Sequence, residues 1–129
     1  MKENRLTVTI GRPISEVFFF SINPENTKKW IPTMLEEISS DFPPQIGTKY
    51  KNRVEGGEWD EYIVSEYEDG KLFSLRDLMN NYNVRYTYKS ISANITEMEY
   101  FEWNNAGTLS NPFSISNLNT LKSLLENKK

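Results

Sequence analysis

The chain has 129 residues, 15 Lys and Arg against 18 Asp and Glu, and neither histidine nor cysteine. A net charge of −3 is the wrong sign for a chain that tracks phosphate backbones, so no nucleic-acid partner is expected. Without histidine or cysteine, disulfides, thiol chemistry, the commonest general base and every triad built on them are excluded.

Residues 1–129 fit one domain with a core of its own. No run is long enough to span a bilayer, and Met1 to Ile10 has no apolar signal region, so a cytoplasmic location is expected. Arg5 to Ile10 reads as a strand, with Leu6, Val8 and Ile10 on one face. Pro13 to Ile22 reads as a helix: Pro suits its first turn and Glu16 its positive end. A second, very short helix follows. Asn23 can cap it, Pro24 would hold its first position, Trp30 falls at its exit and Pro32 forbids continuation.

The period then changes from helical to alternating. Met34 to Ser40 reads as an edge strand, and Pro43, Pro44 and Gly47 as a turn. Thr48 to Val54 and Glu58 to Tyr67 read as strands around a Gly56-Gly57 hairpin, with no strand–glycine–helix context for a phosphate loop. Asp69-Gly70 turns into Lys71 to Asp77, and Met79 to Asn81 links onward. Tyr82, Val84, Tyr86 and Tyr88 then share one face, opposite Asn83, Arg85, Thr87 and Lys89. Ser92 to Asn94 turns the chain back into Ile95 to Trp103. From Asn111-Pro112 to Asn127-Lys128-Lys129, Phe113, Leu118, Leu121, Leu124 and Leu125 recur at helical spacing.

Consecutive strands joined by tight turns make an antiparallel meander, and one face of it needs cover. The final helix is the long element available for that, with Leu118, Leu121 and Leu125 toward the sheet. The short helices would then close one end, with Trp30 as a buried stopper. The expected class is α+β: a curved antiparallel β-sheet wrapped around a C-terminal α-helix, with two short helices after the first strand.

Several stretches taken in order resemble the START-like (SRPBCC) helix-grip superfamily, which includes polyketide cyclases, lipid-transfer domains and pollen-allergen-like proteins. They are "TVTIGRPISEVFFFSINPENTKKW", "IGTKY", "YIVSEYEDGKLFSLR" and "NITEMEY". The resemblance covers nearly the whole chain. It implies a helix-grip fold and a small, mostly apolar, lipid- or polyketide-like ligand in a sheet–helix cavity. It implies no catalytic motif, because members of the superfamily share none.

The residues themselves point the same way in one respect. Aromatic residues make up 13% of the chain, seven of them tyrosine. Phenols want partners, so a dry core finds it hard to satisfy this many. Tyr82, Tyr86 and Tyr88, with Tyr50, Tyr62 and Tyr100, are candidates to line a ligand site, or alternatively half-buried strand residues in a small core. Trp30, Met98, Leu118 and Leu121 complete the candidate lining. Glu102 shares the parity of Met98 and Tyr100 and would face inward unless a bulge at Tyr100-Phe101 intervenes. Glu97 and Glu99 face water on the same count, and Arg76 reads as a surface residue, or as a partner for a carboxylate or for an acid group on a ligand. Glu58, Asp60, Glu61, Glu66, Glu68 and Asp69 cluster on one hairpin without the spacing of a calcium loop, so no metal and no cofactor are expected. Two other functions remain open: a cyclase- or hydrolase-type enzyme working through pocket Tyr and Glu, and a chaperone-assisting module with a protein partner.

Overall fold

The computed structural model describes residues 2–109 and 111–127. In chain order the elements are β1 (Glu3–Ile10), α1 (Ile14–Ile22), α2 (Thr27–Trp30), β2 (Met34–Ser39), β3 (Lys49–Val54), β4 (Asp60–Glu68), β5 (Leu72–Asp77), β6 (Tyr82–Ser92), β7 (Ile95–Asn104) and α3 (Ile115–Glu126). The strands form one antiparallel sheet in the order β1-β7-β6-β5-β4-β3-β2, strongly curled into a half-barrel around α3. Hairpin-type connections build β2 to β7 as a meander. The two short helices carry the chain from β1 at one edge to β2 at the other. This is the helix-grip architecture.

Leu118, Leu121 and Leu125 are fully buried between α3 and the sheet. Each such leucine contributes about 2 kcal/mol of transfer free energy. Leu124, on the same sequence period, is instead 36% exposed, because only a narrow stripe of a helix this short meets the sheet. The helix also starts later than Asn111-Pro112 suggests. Ser114 is its N-cap and accepts from the Ser116 amide at 3.2 Å, leaving Phe113 in an irregular lead-in. At the other end the Glu126 carboxylate accepts from the Gly11 amide (2.7 Å) and from Lys122 Nζ (2.6 Å), tying α3 to the turn after β1. These donors hold the Glu126 carboxyl below the usual range. Lys128 and Lys129 lie outside the described residues.

The short second helix also begins later than expected. Asn23 Oδ1 does accept from the Glu25 amide at 3.0 Å, but this closes a turn, and helical geometry starts only at Thr27. Trp30 ends α2, fully buried. On α1, Val17, Phe18, Ser21 and Ile22 face the core. Phe18 packs edge-on against Tyr88 (5.0 Å between centroids) and Tyr67 (5.8 Å).

Three irregularities aim side chains against the simple alternation. One falls between Val64 and Glu66, and turns Tyr67 inward while Glu66 faces out to Arg85. A second falls between Met34 and Glu36, and turns Glu37 inward while Ile38 becomes 51% exposed. The third, between Ser90 and Ser92, lies in the β6–β7 hairpin. No irregularity occurs at Tyr100-Phe101: β7 keeps unbroken register with both β1 and β6 there. Phe101 and Trp103 break the pattern only in composition. They sit stacked on the outer face (5.1 Å), under the guanidinium groups of Arg5 (4.1 Å) and Arg85 (5.0 Å).

Candidate functional site

Inward parity on β3, β5, β6 and β7 brings a chain of rings together beneath α3. Tyr50 meets Phe73 (5.3 Å), Phe73 meets Tyr86 (5.6 Å), and Tyr86 meets Tyr100 (5.4 Å). Tyr100 then stacks on Phe113 at 4.0 Å and 13°. Trp30 closes the group from α2, edge-on to Tyr86 (6.1 Å) and Phe113 (6.0 Å). Met98, Leu118 and Leu121 are fully buried in the same core. The candidate residues therefore share one concave face, but the rings occupy much of it themselves.

The tyrosine row serves three different neighbourhoods. Tyr88 points to the α1 end, where its hydroxyl and Ser21 Oγ lie 2.5 Å apart. Tyr50 donates to the Ile22 carbonyl at 2.8 Å. Tyr82, half-buried beside Tyr62 (6.5 Å), donates to Glu102 Oε1 at 2.7 Å. Burial pushes the Tyr50, Tyr82, Tyr86, Tyr88 and Tyr100 hydroxyls well above the ordinary phenol range, and Tyr62 up to about 12. At neutral pH all are uncharged and able to donate. Two buried side-chain donors have no partner among the described residues, Asn83 Nδ2 on β6 and Trp30 Nε1–H; of these, Trp30 belongs to the aromatic interior and is fully buried.

Glu102 faces inward and is only 2% exposed. Besides Tyr82, it accepts from Asn4 Nδ2 (2.9 Å) and from the Phe113 amide (2.6 Å), while Asn4 also donates to the Phe113 carbonyl at 3.0 Å. Asn4, Tyr82 and Glu102 thus clamp the Phe113 backbone to β1, β6 and β7. Both Glu102 oxygens are taken by structural donors. Arg76 spends one Nη1 on the Asp77 carbonyl at 3.1 Å. The hairpin acids are partly paired outward, Glu61 with Lys51 (3.3 Å) and Glu66 with Arg85 (2.8 Å).

Sequence reasoning missed Glu37. Its carboxylate accepts from Thr27 Oγ1 (2.5 Å) and Asn52 Nδ2 (3.2 Å). Desolvation pushes its pKa up to about 7, against the lowering effect of those two hydrogen bonds. Its charge in turn acts on the phenols of Tyr50, Tyr62 and Tyr86, which places it at the β2 side of the aromatic interior. Its outer side borders a crevice of about 320 Å³ against Asn23, Pro24 and Glu25. The signal that could have found it is Asn52. A polar amide sharing the inner face with Tyr50 requires a buried partner.

A solvent-connected crevice of about 860 Å³ opens beside this interior. Its walls are Ile31 to Leu35 after α2, Val54 and Glu55 at the end of β3, and Asn111 to Ser114 with Asn117 at the start of α3. None of the residues picked from the sequence lines it. Two of its wall residues touch that group all the same: Ile31 follows Trp30, and Phe113 stacks on Tyr100. Phe113 is the partition between crevice and aromatic interior.

No protein-family profile and no curated protein matches the sequence. Solved structures do match. The Aha1 dimer structure from Colwellia psychrerythraea superposes with a TM-score of 0.76 at 18% identity, covering 100% of this chain and 99% of that one. The polyketide_cyc-like protein Cgl2372 from Corynebacterium glutamicum gives 0.60 at 18% identity, over 81% of this chain and 67% of that one. DynU16, from the dynemicin biosynthetic locus, gives 0.73 at 17% identity, over 100% of this chain but 49% of its own. At such identities the likeness is one of fold.

Proposed function

With the helix-grip, polyketide-cyclase-like fold as premise, we propose that this chain binds a small, mostly apolar molecule of lipid- or polyketide-like character through the crevice bordered by Phe113. The observation that carries the reading is the crevice itself. It is concave, about 860 Å³, walled largely by Ile31, Pro32, Met34, Leu35, Val54, Pro112 and Phe113, and rimmed by Asn111, Ser114 and Asn117. Apolar walls with a few polar groups are what a small-molecule site needs. The neighbours described as polyketide_cyc-like and as part of the dynemicin biosynthetic locus support the same ligand class. Burying roughly 200 to 300 Å² of ligand at about 25 cal/mol/Å² yields about 5 to 7.5 kcal/mol gross. Ordering costs reduce that, so generic probes bind at micromolar level or weaker.

Native mass spectrometry of the freshly purified protein tests this. A retained small molecule supports the reading and names its class. Amide chemical-shift mapping with fatty acids, flavonoids and sterols supplies the second arm. Shifts at Leu35, Val54 and Asn117 support the crevice, and no shift at millimolar ligand refutes it.

A protein-interaction reading has its own support. The outer sheet face carries Phe101 and Trp103 under Arg5 and Arg85, and a 43% exposed Trp59 beside Arg53 (5.3 Å). Aromatics and arginine dominate interface energetics. Ligand-independent pull-down lost on Trp59→Ala and Trp103→Ala would favour this reading. A cyclase- or hydrolase-type reaction through Glu102 has less support, since both its oxygens hold structure together.

A further inference from the structure

One buried donor takes no part in lining the crevice. Trp30 Nε1–H is sealed from solvent and, among the described residues, has no acceptor. Leaving such a donor unmade is costly, and native structures rarely tolerate it without a reason. The indole sits edge-on to Phe113, and Phe113 is the crevice wall. Trp30 is therefore one ring away from the opening.

Phe113 is built as a partition whose side chain and backbone are held differently. Its amide donates to Glu102 Oε2 and its carbonyl accepts from Asn4 Nδ2, so the backbone is pinned from both sides. Its half-buried ring is held by stacking on Tyr100 and by the edge contact with Trp30. Both bonds involve only the Phe113 amide and carbonyl, so a turn of the ring about χ1 toward the crevice it lines breaks neither. The ring's vacated place lies on the Tyr100 face and beside the Trp30 indole.

Resting on the reading that the crevice takes the ligand, we infer that the binding site extends behind Phe113 and takes a planar ring carrying a carbonyl-type acceptor oxygen. The ring replaces Phe113 in the stack on Tyr100. The oxygen accepts from Trp30 Nε1–H. The phenols around it, Tyr86 and Tyr100, are neutral donors, and the Glu102 oxygens are already taken by three donors. The pocket therefore favours an uncharged acceptor over a cation.

The test uses the intact chain and two matched probes, 1-indanone and indane, which differ by the carbonyl oxygen. The indole N–H signals are assigned with Trp59→Phe and Trp103→Phe, leaving that of Trp30. With 1-indanone the Trp30 N–H resonance moves downfield on titration; with indane it does not. Trp30→Phe lowers the affinity ratio of 1-indanone to indane about fivefold or more, the size of one hydrogen bond. Phe113→Ala raises the affinity for both probes, because no ring has to leave. If Trp30→Phe fails to fold, the wild-type indole shift decides alone. Both probes shifting Leu35, Val54 and Asn117 while the Trp30 N–H stays still would overturn this inference and leave the crevice reading standing. No shift anywhere at millimolar probe overturns both.

Discussion

Replacing Glu37 by Gln isolates the energetic cost of a half-buried, largely desolvated carboxyl at the β2 edge. In the folded chain burial holds the pKa near 7, from an ordinary value of 4.5. A folded pKa above the unfolded one means that the native state binds the proton more tightly. Stability is therefore fullest below the unfolded value, falls as pH rises between about 4.5 and 7, and is level above that. The gap corresponds to about 3 kcal/mol at its full extent, of which about 2 to 3 kcal/mol falls between pH 5 and pH 8. The glutamine side chain keeps an oxygen for Thr27 and, with the Asn52 amide turned over, offers a donor to the Asn52 oxygen. Packing is thus nearly unchanged and only the ionisation is removed. Urea titrations of both proteins at pH 5, 6, 7 and 8 measure the difference. Glu37→Gln should match the wild type closely near pH 5 and exceed it by about 2 kcal/mol at pH 8. Parallel pH profiles, or a wild type that gains on the variant as pH rises, would refute the burial argument.

Trp30→Ala removes the largest fully buried side chain and should cost about 3 to 5 kcal/mol in a denaturant titration; a loss near zero would show that the short helices are not needed to close the core. Glu102→Ala strands the Asn4, Tyr82 and Phe113 donors and should cost about 3 kcal/mol or more, against about 1 kcal/mol for Tyr82→Phe. Equal effects would mean that the clamp on Phe113 carries little. Ser114→Ala should lower stability by about 1 kcal/mol with a proportional loss of helical ellipticity, and no change would remove Ser114 as the cap of α3.

What could be read ahead followed from uninterrupted periodicity. Tyr82, Val84, Tyr86 and Tyr88 keep strict alternation over a stretch in unbroken register, and Leu118, Leu121 and Leu125 keep a helical one. Glu102 was legible for the same reason, once Phe101 and Trp103 are understood as outer-face residues shielded by arginines. Glu37 and Tyr67 were not, because each follows a bulge that shifts the parity by one, and nothing in "MLEEIS" or "IVSEYE" marks which residue is extra. Pro24 and Pro112 misled in a similar way. Proline suits a first helical turn but suits an ordinary turn as well, and the local hydrogen bonds of Asn23 and Ser114 decide between them. The crevice was invisible because its walls are strand ends and irregular segments brought together only by the curl of the sheet.

The place of β1 beside β7 sets an order of events in synthesis and folding. Asn4 and Glu102 are 98 residues apart, yet they meet across one strand pair. All other strand pairs join neighbours in sequence and can zip locally, whereas β1 must wait for the last strand to exist. On the ribosome its inner face of Leu6, Val8 and Ile10 is made before the other strands of the sheet and covered after them, with an unpaired edge for other chains to find meanwhile. The α3 helix closes onto β1 itself, with Lys122 Nζ donating to the Thr9 carbonyl at 2.6 Å. A chain truncated before β7 keeps a meander able to form but leaves its first strand without a place, and such a fragment should aggregate more readily than the whole chain.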